Sequence, residues 1–163
     1  MAKLNQKIVP HLWFTKEAEE AARFYASIFP DSRVDRVNVM PAETPSGPPG
    51  SVTMVELTLF GQKFSAMSAG PMDPFNHAIS LMVMCDTQAE IDKYWNAFLE
   101  GGGKPEQCGW IKDRFGVIWQ ITPSMLDTWI TDKDQERGRR VTEAMLKMVK
   151  LDIAQLKAAY DGK

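Results

Sequence analysis

A chain of 163 residues with net charge −2, 25% charged and 44% hydrophobic, has room for one or two small domains and enough apolar material for a proper core. That balance offers no basic field for nucleic acid and no polybasic patch for a membrane surface. No apolar run reaches the roughly 18 residues of a spanning helix, and no signal-peptide core follows the N-terminus. Two cysteines without CxxC spacing, Cys85 and Cys108, read as free thiols of a cytoplasmic protein.

In chain order, Lys7 to Phe14 reads as a strand with Val9, His11 and Trp13 on one face, and Pro10 marks an edge or a pairing break. Thr15 is the expected N-cap of a helix whose apolar stripe is Ala18, Ala21, Ala22, Tyr25, Ile28 and Phe29. Pro30-Asp31 ends it, and Arg33 to Met40 alternates like a half-exposed strand. Pro41 to Gly50 is too rich in proline and glycine for regular structure. It reads as a mobile excursion, a lid in one reading and a hairpin insertion without a role in the other. Ser51 to Phe60 and Lys63 to Ser68 form a hairpin around Gly61-Gln62, and Gly70-Pro71 and Asp73-Pro74 mark a linker.

The second half repeats the plan. Ala78 to Cys85 is an apolar strand, and Thr87-Gln-Ala-Glu90 is a capping box. Ile91, Tyr94, Trp95, Phe98 and Leu99 keep the spacing of a core-facing helix, stopped by Gly101-Gly-Gly103. Cys108 to Pro123 is a β-hairpin whose turn carries Asp113 and Gly116. Lys112, Asp113 and Arg114 are read as its solvated tip. In the exit strand Ile118, Gln120 and Thr122 share one face and Val117, Trp119 and Ile121 the other, so Gln120 places an amide in apolar surroundings. Strand–helix–strands thus occurs twice. In the tail, Ser124 caps a short turn and one long helix is expected from about Asp134 to Tyr160. Its stripe, Val141, Met145, Met148, Val149, Ile153, Leu156 and Tyr160, needs cover from its own sheet or another subunit.

On the repeat, the Cys108–Pro123 hairpin, Ile8 to Phe14, Ala21 to Tyr25, Ser80 to Gly103 and Met145 to Leu156, the chain resembles the vicinal-oxygen-chelate superfamily. Within it the resemblance is to the group called 3-demethylubiquinone-9 3-methyltransferase-like, related to the glyoxalase, bleomycin-resistance and dihydroxybiphenyl-dioxygenase proteins. The resemblance implies an α+β fold: two βαβββ modules, about 7–69 and 77–123, forming a curved mixed sheet around a cavity, usually in a homodimer, with residues 124–163 a C-terminal helical extension. Metal-bearing members place a ligand on the first and last strand of each module. Carried over, these places fall on His11, near Met67, near Ser80 (His77 being the alternative) and on Gln120. Two of the four lack good ligands, and none is a carboxylate.

The reading that follows is a metal-free small-molecule binder contacting its ligand through His11, Trp13, Met67, Ser80 and Gln120, with no cofactor, nucleic acid or membrane partner. Met82 or Met84 also lines its apolar cavity. The alternative is a divalent-metal lyase, isomerase or ring-cleaving dioxygenase using His11, His77 and Gln120. A third reading, the methyltransferase activity of the family label, meets the absence of any G-x-G-x-x-G after a strand. Cys85 and Cys108 have no neighbour in sequence that would lower a thiol pKa, so both read as inert.

Overall fold

The computed structural model describes residues 6–163. It divides into two compact units between Asp73 and Pro74. Among the described residues no helix is long and apolar enough to cross a membrane.

The first unit runs β1 (His11–Phe14), α1 (Ala18–Ile28), β2 (Arg33–Val39), β3 (Thr53–Leu59) and β4 (Gln62–Ser68), with sheet order β1-β4-β3-β2. β1 begins only after Pro10, which has no N–H to give but accepts from Ser65 N at 2.9 Å. It pairs parallel with β4, while the other pairs are antiparallel. The expected cap Thr15 does not cap α1. The N-cap is Glu17 without a side-chain bond, and the first amide, Ala18 N, donates instead to Ser68 Oγ at 3.0 Å. The chain leaving β1 needs two more residues to turn, and a hydroxyl from the neighbouring strand takes over the orphan donor. Ala18, Ala21, Ala22, Tyr25 and Ile28 are buried, on the side of the sheet where Val55, Leu57 and Ala66 are buried.

The β3–β4 turn is Phe60-Gly61, one residue earlier than expected, because Leu59 pairs with Gln62. Both turn residues have positive φ (48° and 73°), as a tight two-residue hairpin requires. The 41–50 loop closes on itself. A Thr44–Gly47 bridge forms within it, and Met40 N bonds Val52 O at its base.

The second unit repeats the topology with β5 (Leu81–Cys85), α2 (Gln88–Glu100), β6 (Lys104–Pro105), β7 (Trp110–Lys112) and β8 (Ile118–Pro123), in order β5-β8-β7-β6. β5 and β8 are parallel, as β1 and β4 are, so the two modules share one plan. The capping box is present on both sides: Thr87 accepts from Glu90 N and the Glu90 carboxylate takes Thr87 N. Ile91, Phe98, Ile111, Ile118 and Ile121 are fully buried in this unit.

Asp113 is not part of a solvated tip. It is 4% exposed, and its carboxylate accepts from Phe115 N, Val117 N and Trp119 Nε1, each at 2.9 Å. A short acidic side chain at the head of a tight turn can collect the amides that the turn leaves unpaired, and here it also takes the indole N–H.

The expected single helix from 134 to 160 is two. α3 (Leu126–Ile130) is followed by α4 (Gln135–Met145) and α5 (Ile153–Asp161). Asp134 and Asp152 each cap their own helix, and Ser124 caps none, donating instead to Asp86. The break between α4 and α5 is held from outside. Cys108 N and Gly109 N bond the Met148 and Val149 carbonyls, while Gln88 bonds Leu151 O and Ile153 N. An unbroken helix would leave Leu151 out of the core. In the break it joins Leu126, Val141 and Leu156 in a buried cluster against which Met145, Met148 and Tyr160 pack, while Val149 of the expected stripe stays exposed.

Candidate functional site

On the first sheet, alternation sends Leu12 and Phe14 to the helix side and leaves His11 and Trp13 on the open face. The residue beside His11 on β4 is Ser65, not Met67, and His11 Nδ1 lies 3.1 Å from Ser65 Oγ. Met67 is the partner of Trp13, whose indole N–H donates to Gly70 O at 2.9 Å. Farther across this sheet a β-bulge between Val34 and Arg36 frees Asp35 to accept from Lys63 Nζ at 2.8 Å and Thr58 Oγ1 at 2.6 Å. Burial pushes the Asp35 carboxyl up. The hydrogen bonds from Lys63 and Thr58 and the Lys63 and Arg33 charges outweigh it and hold the group below the usual carboxylate range.

The second sheet brings more together. Gln120 on β8 stands between Met82 of β5 and Trp110 of β7, and its Nε2 donates to Ser80 Oγ at 2.7 Å. That bond leaves Gln120 Oε1 as an acceptor. His77 is engaged by another partner: its Nε2 lies 2.7 Å from Glu106 Oε2, with its ring against Trp110 at 5.9 Å. Over this face opens a concavity of about 360 Å³. Its floor is Met82, Met84, Trp110, Gln120 and Thr122, all on strands. Leu126, Asp127 and Ile130 of α3 form the wall, with Met145 and Cys108. The size is that of a pocket for a small organic ligand, and so is the mixture of apolar lining with few polar groups.

Four of the five expected contacts thus fall into two neighbouring pairs, Trp13 with Met67 and Ser80 with Gln120, while the fifth, His11, lies beside Ser65. Sequence reasoning missed Ser65 by one strand alternation. It also missed the α3 wall, because nothing local shows where a terminal helix will fold back. Glu106 was missed as well, since a lone glutamate before a hairpin has no signature. Both cysteines are free. Burial, then the Glu90 and Asp86 charges, pushes the Cys85 thiol up to about 12, which makes it inert.

A divalent ion takes three or four hard or borderline ligands. His11 has a hydroxyl beside it, His77 is engaged with one carboxylate, and the Gln120 amide with Ser80. Among the described residues no three His, Cys, Asp or Glu side chains gather to hold an ion. As arranged within either unit, the donors do not fit a metal centre.

Two βαβββ modules, each with its first and last strands parallel, define a vicinal-oxygen-chelate fold protein. FosX from Listeria monocytogenes, a fosfomycin resistance protein whose structure holds Mn(II) and 1S,2S-dihydroxypropylphosphonic acid, shares the fold at 10% identity. Its TM-score is 0.54, over 75% of this chain and 94% of that one. The PhnB protein from Bacillus cereus is 32% identical over 72% of this chain and 99% of its own, with a TM-score of 0.61. Protein PA1353 from Pseudomonas aeruginosa is 23% identical over 73% and 98%, with a TM-score of 0.53. Residues 6–122 match the model of the 3-demethylubiquinone-9 3-methyltransferase family, and the chain belongs to that family. No curated protein matches it.

Proposed function

We propose that this protein binds a small, largely apolar or aromatic molecule without a metal, over the open face of its second sheet, with Gln120 as the polar anchor. The observation that carries the reading is the concavity itself: thioether and indole surface around one amide whose orientation Ser80 holds. Methionine side chains adapt their shape to a ligand, and a single oriented amide selects its pose. On the first sheet, His11 with Trp13 and Met67 is a second set of contacts in the same reading. Among the described residues the Gly101–Gly103 run follows α2, where Gly101 serves as the cap, and not a strand, so it lends the methyltransferase label of the family no support. The proposal includes a homodimer in the cytoplasm, where both thiols stay reduced; light scattering checks the dimer.

The test is a thermal-shift screen of aromatic and alicyclic compounds followed by calorimetry on the hits. Replacing Gln120 by alanine weakens binding by about tenfold, the worth of one lost oriented hydrogen bond. Unchanged affinity in that variant would sink the anchor. Metal content is measured alongside, in protein purified without a metal-affinity tag. One tight divalent ion per chain, lost in His11→Ala, would replace this reading with metal-assisted lyase, isomerase or dioxygenase chemistry.

A further inference from the structure

We infer that the ligand of the second-sheet concavity is an aromatic or alicyclic cation, and that Asp127 selects its charge. This rests on the binding reading above and adds the chemical class. Among the described residues lining the concavity there is one carboxylate, Asp127, and no lysine, arginine or histidine. No hydrogen bond or ion pair engages the Asp127 carboxylate among the described residues; only its backbone carbonyl is used, accepting from Thr131.

The remaining polar groups point the same way. One Nε2 N–H of Gln120 goes to Ser80, and its Oε1 remains an acceptor. Thr122 is 8% exposed, lines the floor, and its hydroxyl has no hydrogen-bond partner among the described residues. No buried side-chain polar atom lacks a partner among the described residues, so this hydroxyl stays open to solvent, where it can accept from a ligand N–H. Trp110 supplies the π-face that attracts a cation, and the Met82 and Met84 sulfurs add polarizable contact to a ring. An anion would meet the Asp127 carboxylate with no lysine, arginine or histidine among the lining residues to neutralise it. A phosphonate or carboxylate ligand is therefore the wrong charge for this concavity.

The test uses three probes of one shape: N-methylquinolinium, its neutral isostere methylnaphthalene and the anion naphthoate, each titrated by calorimetry into the full chain at low and high salt. A charge a few ångströms from an exposed carboxylate is worth about a fivefold preference for the cation over the neutral isostere, with the anion weakest. The preference shrinks as salt rises, and the cation-to-neutral ratio collapses toward unity in Asp127→Asn. Because the readout is a ratio within one protein, a general loss of fold in the variant does not imitate it. Equal binding of cation and neutral probe, or a ratio that survives Asp127→Asn, overturns the charge selection while leaving an apolar binder. Failure of all three, together with an empty thermal-shift screen, removes the binding reading and this inference with it.

Discussion

Replacing Asp113 by alanine should unfold much of the second unit's advantage over the open chain. The carboxylate accepts three hydrogen bonds, from Phe115 N, Val117 N and Trp119 Nε1, in a hairpin where Asp113 is 4% exposed. Val117 and Trp119 are themselves buried, so water does not readily take the carboxylate's place. Counting the donors left without an acceptor, the cost is about 4 kcal/mol, a large part of the roughly 5–15 kcal/mol that holds a domain folded. With a urea slope of about 1.5 kcal/mol/M, the midpoint seen by circular dichroism falls by roughly 2–3 M. Asp113→Asn keeps an acceptor for the two backbone amides but turns an N–H toward the indole, so it costs about half as much. Trp119→Phe in the Asp113→Asn background recovers part of that loss, since it removes the opposed donor. A midpoint unchanged in Asp113→Ala, or an asparagine variant as unstable as the alanine one, would refute the assignment of Asp113 as the hairpin's internal cap. The same hairpin carries Trp110 and Gln120, so ligand affinity falls with it.

Three further outcomes follow from the packing. Asp35 titrates low in the folded chain, so its contribution to stability is complete above its unfolded value near 4 and disappears as pH falls through the lower folded value. The stability gap between wild type and Asp35→Asn, measured by urea unfolding, should therefore be widest near neutral pH and close below about pH 4; a gap independent of pH would count against the Lys63–Thr58–Asp35 network. A Cβ at Gly138 would stand 2.3 Å from the Ile130 carbonyl oxygen, so Gly138→Ala forces α3 off α4 at about 1–3 kcal/mol. Because Ile130 lines the concavity, probe affinity should fall too, and a fully stable, fully binding variant would show that the close approach is not needed. At pH 8 an aromatic disulfide reagent should modify one thiol in the native protein, Cys108, and two only after unfolding, with Cys108→Ser reducing the native count to none; equal rates at both thiols would contradict the burial of Cys85.

Much of the architecture was legible because it is written in local periodicity. The alternating strands, the stripe Ile91, Tyr94, Trp95, Phe98, the Thr87–Glu90 box and the strand–helix–strands repeat all depend on neighbours a few residues apart, and all appear in the fold. The helix caps show the limit. Thr87 caps as expected because its glutamate partner lies three residues away, whereas the α1 amide is capped by Ser68, fifty residues distant. Asp113 looked like a charged turn tip because charge and turn position are local, while the indole that buries it arrives only when β8 pairs with β7.

The same division runs through the site. Composition and periodicity by themselves determined the doubled module, the face shared by Gln120 and Thr122, and the side of β1 on which His11 and Trp13 stand, because side-chain direction along a strand alternates whatever the partners are. Register, by contrast, is a contest between strands far apart in the chain. It set Ser65 rather than Met67 beside His11, and Met82 and Trp110 on either side of Gln120. In the tail, local caps at Asp134 and Asp152 start the helices, and tertiary contacts hold the break between them. Cys108, Gly109 and Gln88 capture the backbone between α4 and α5, which breaks a helix that its own residues would have continued. The wall of the concavity, with Asp127 and Ile130, likewise comes from α3 and appears in no local pattern. Hydrogen bonds satisfied from a distance cost the chain nothing in local pattern, and so they leave no trace in it.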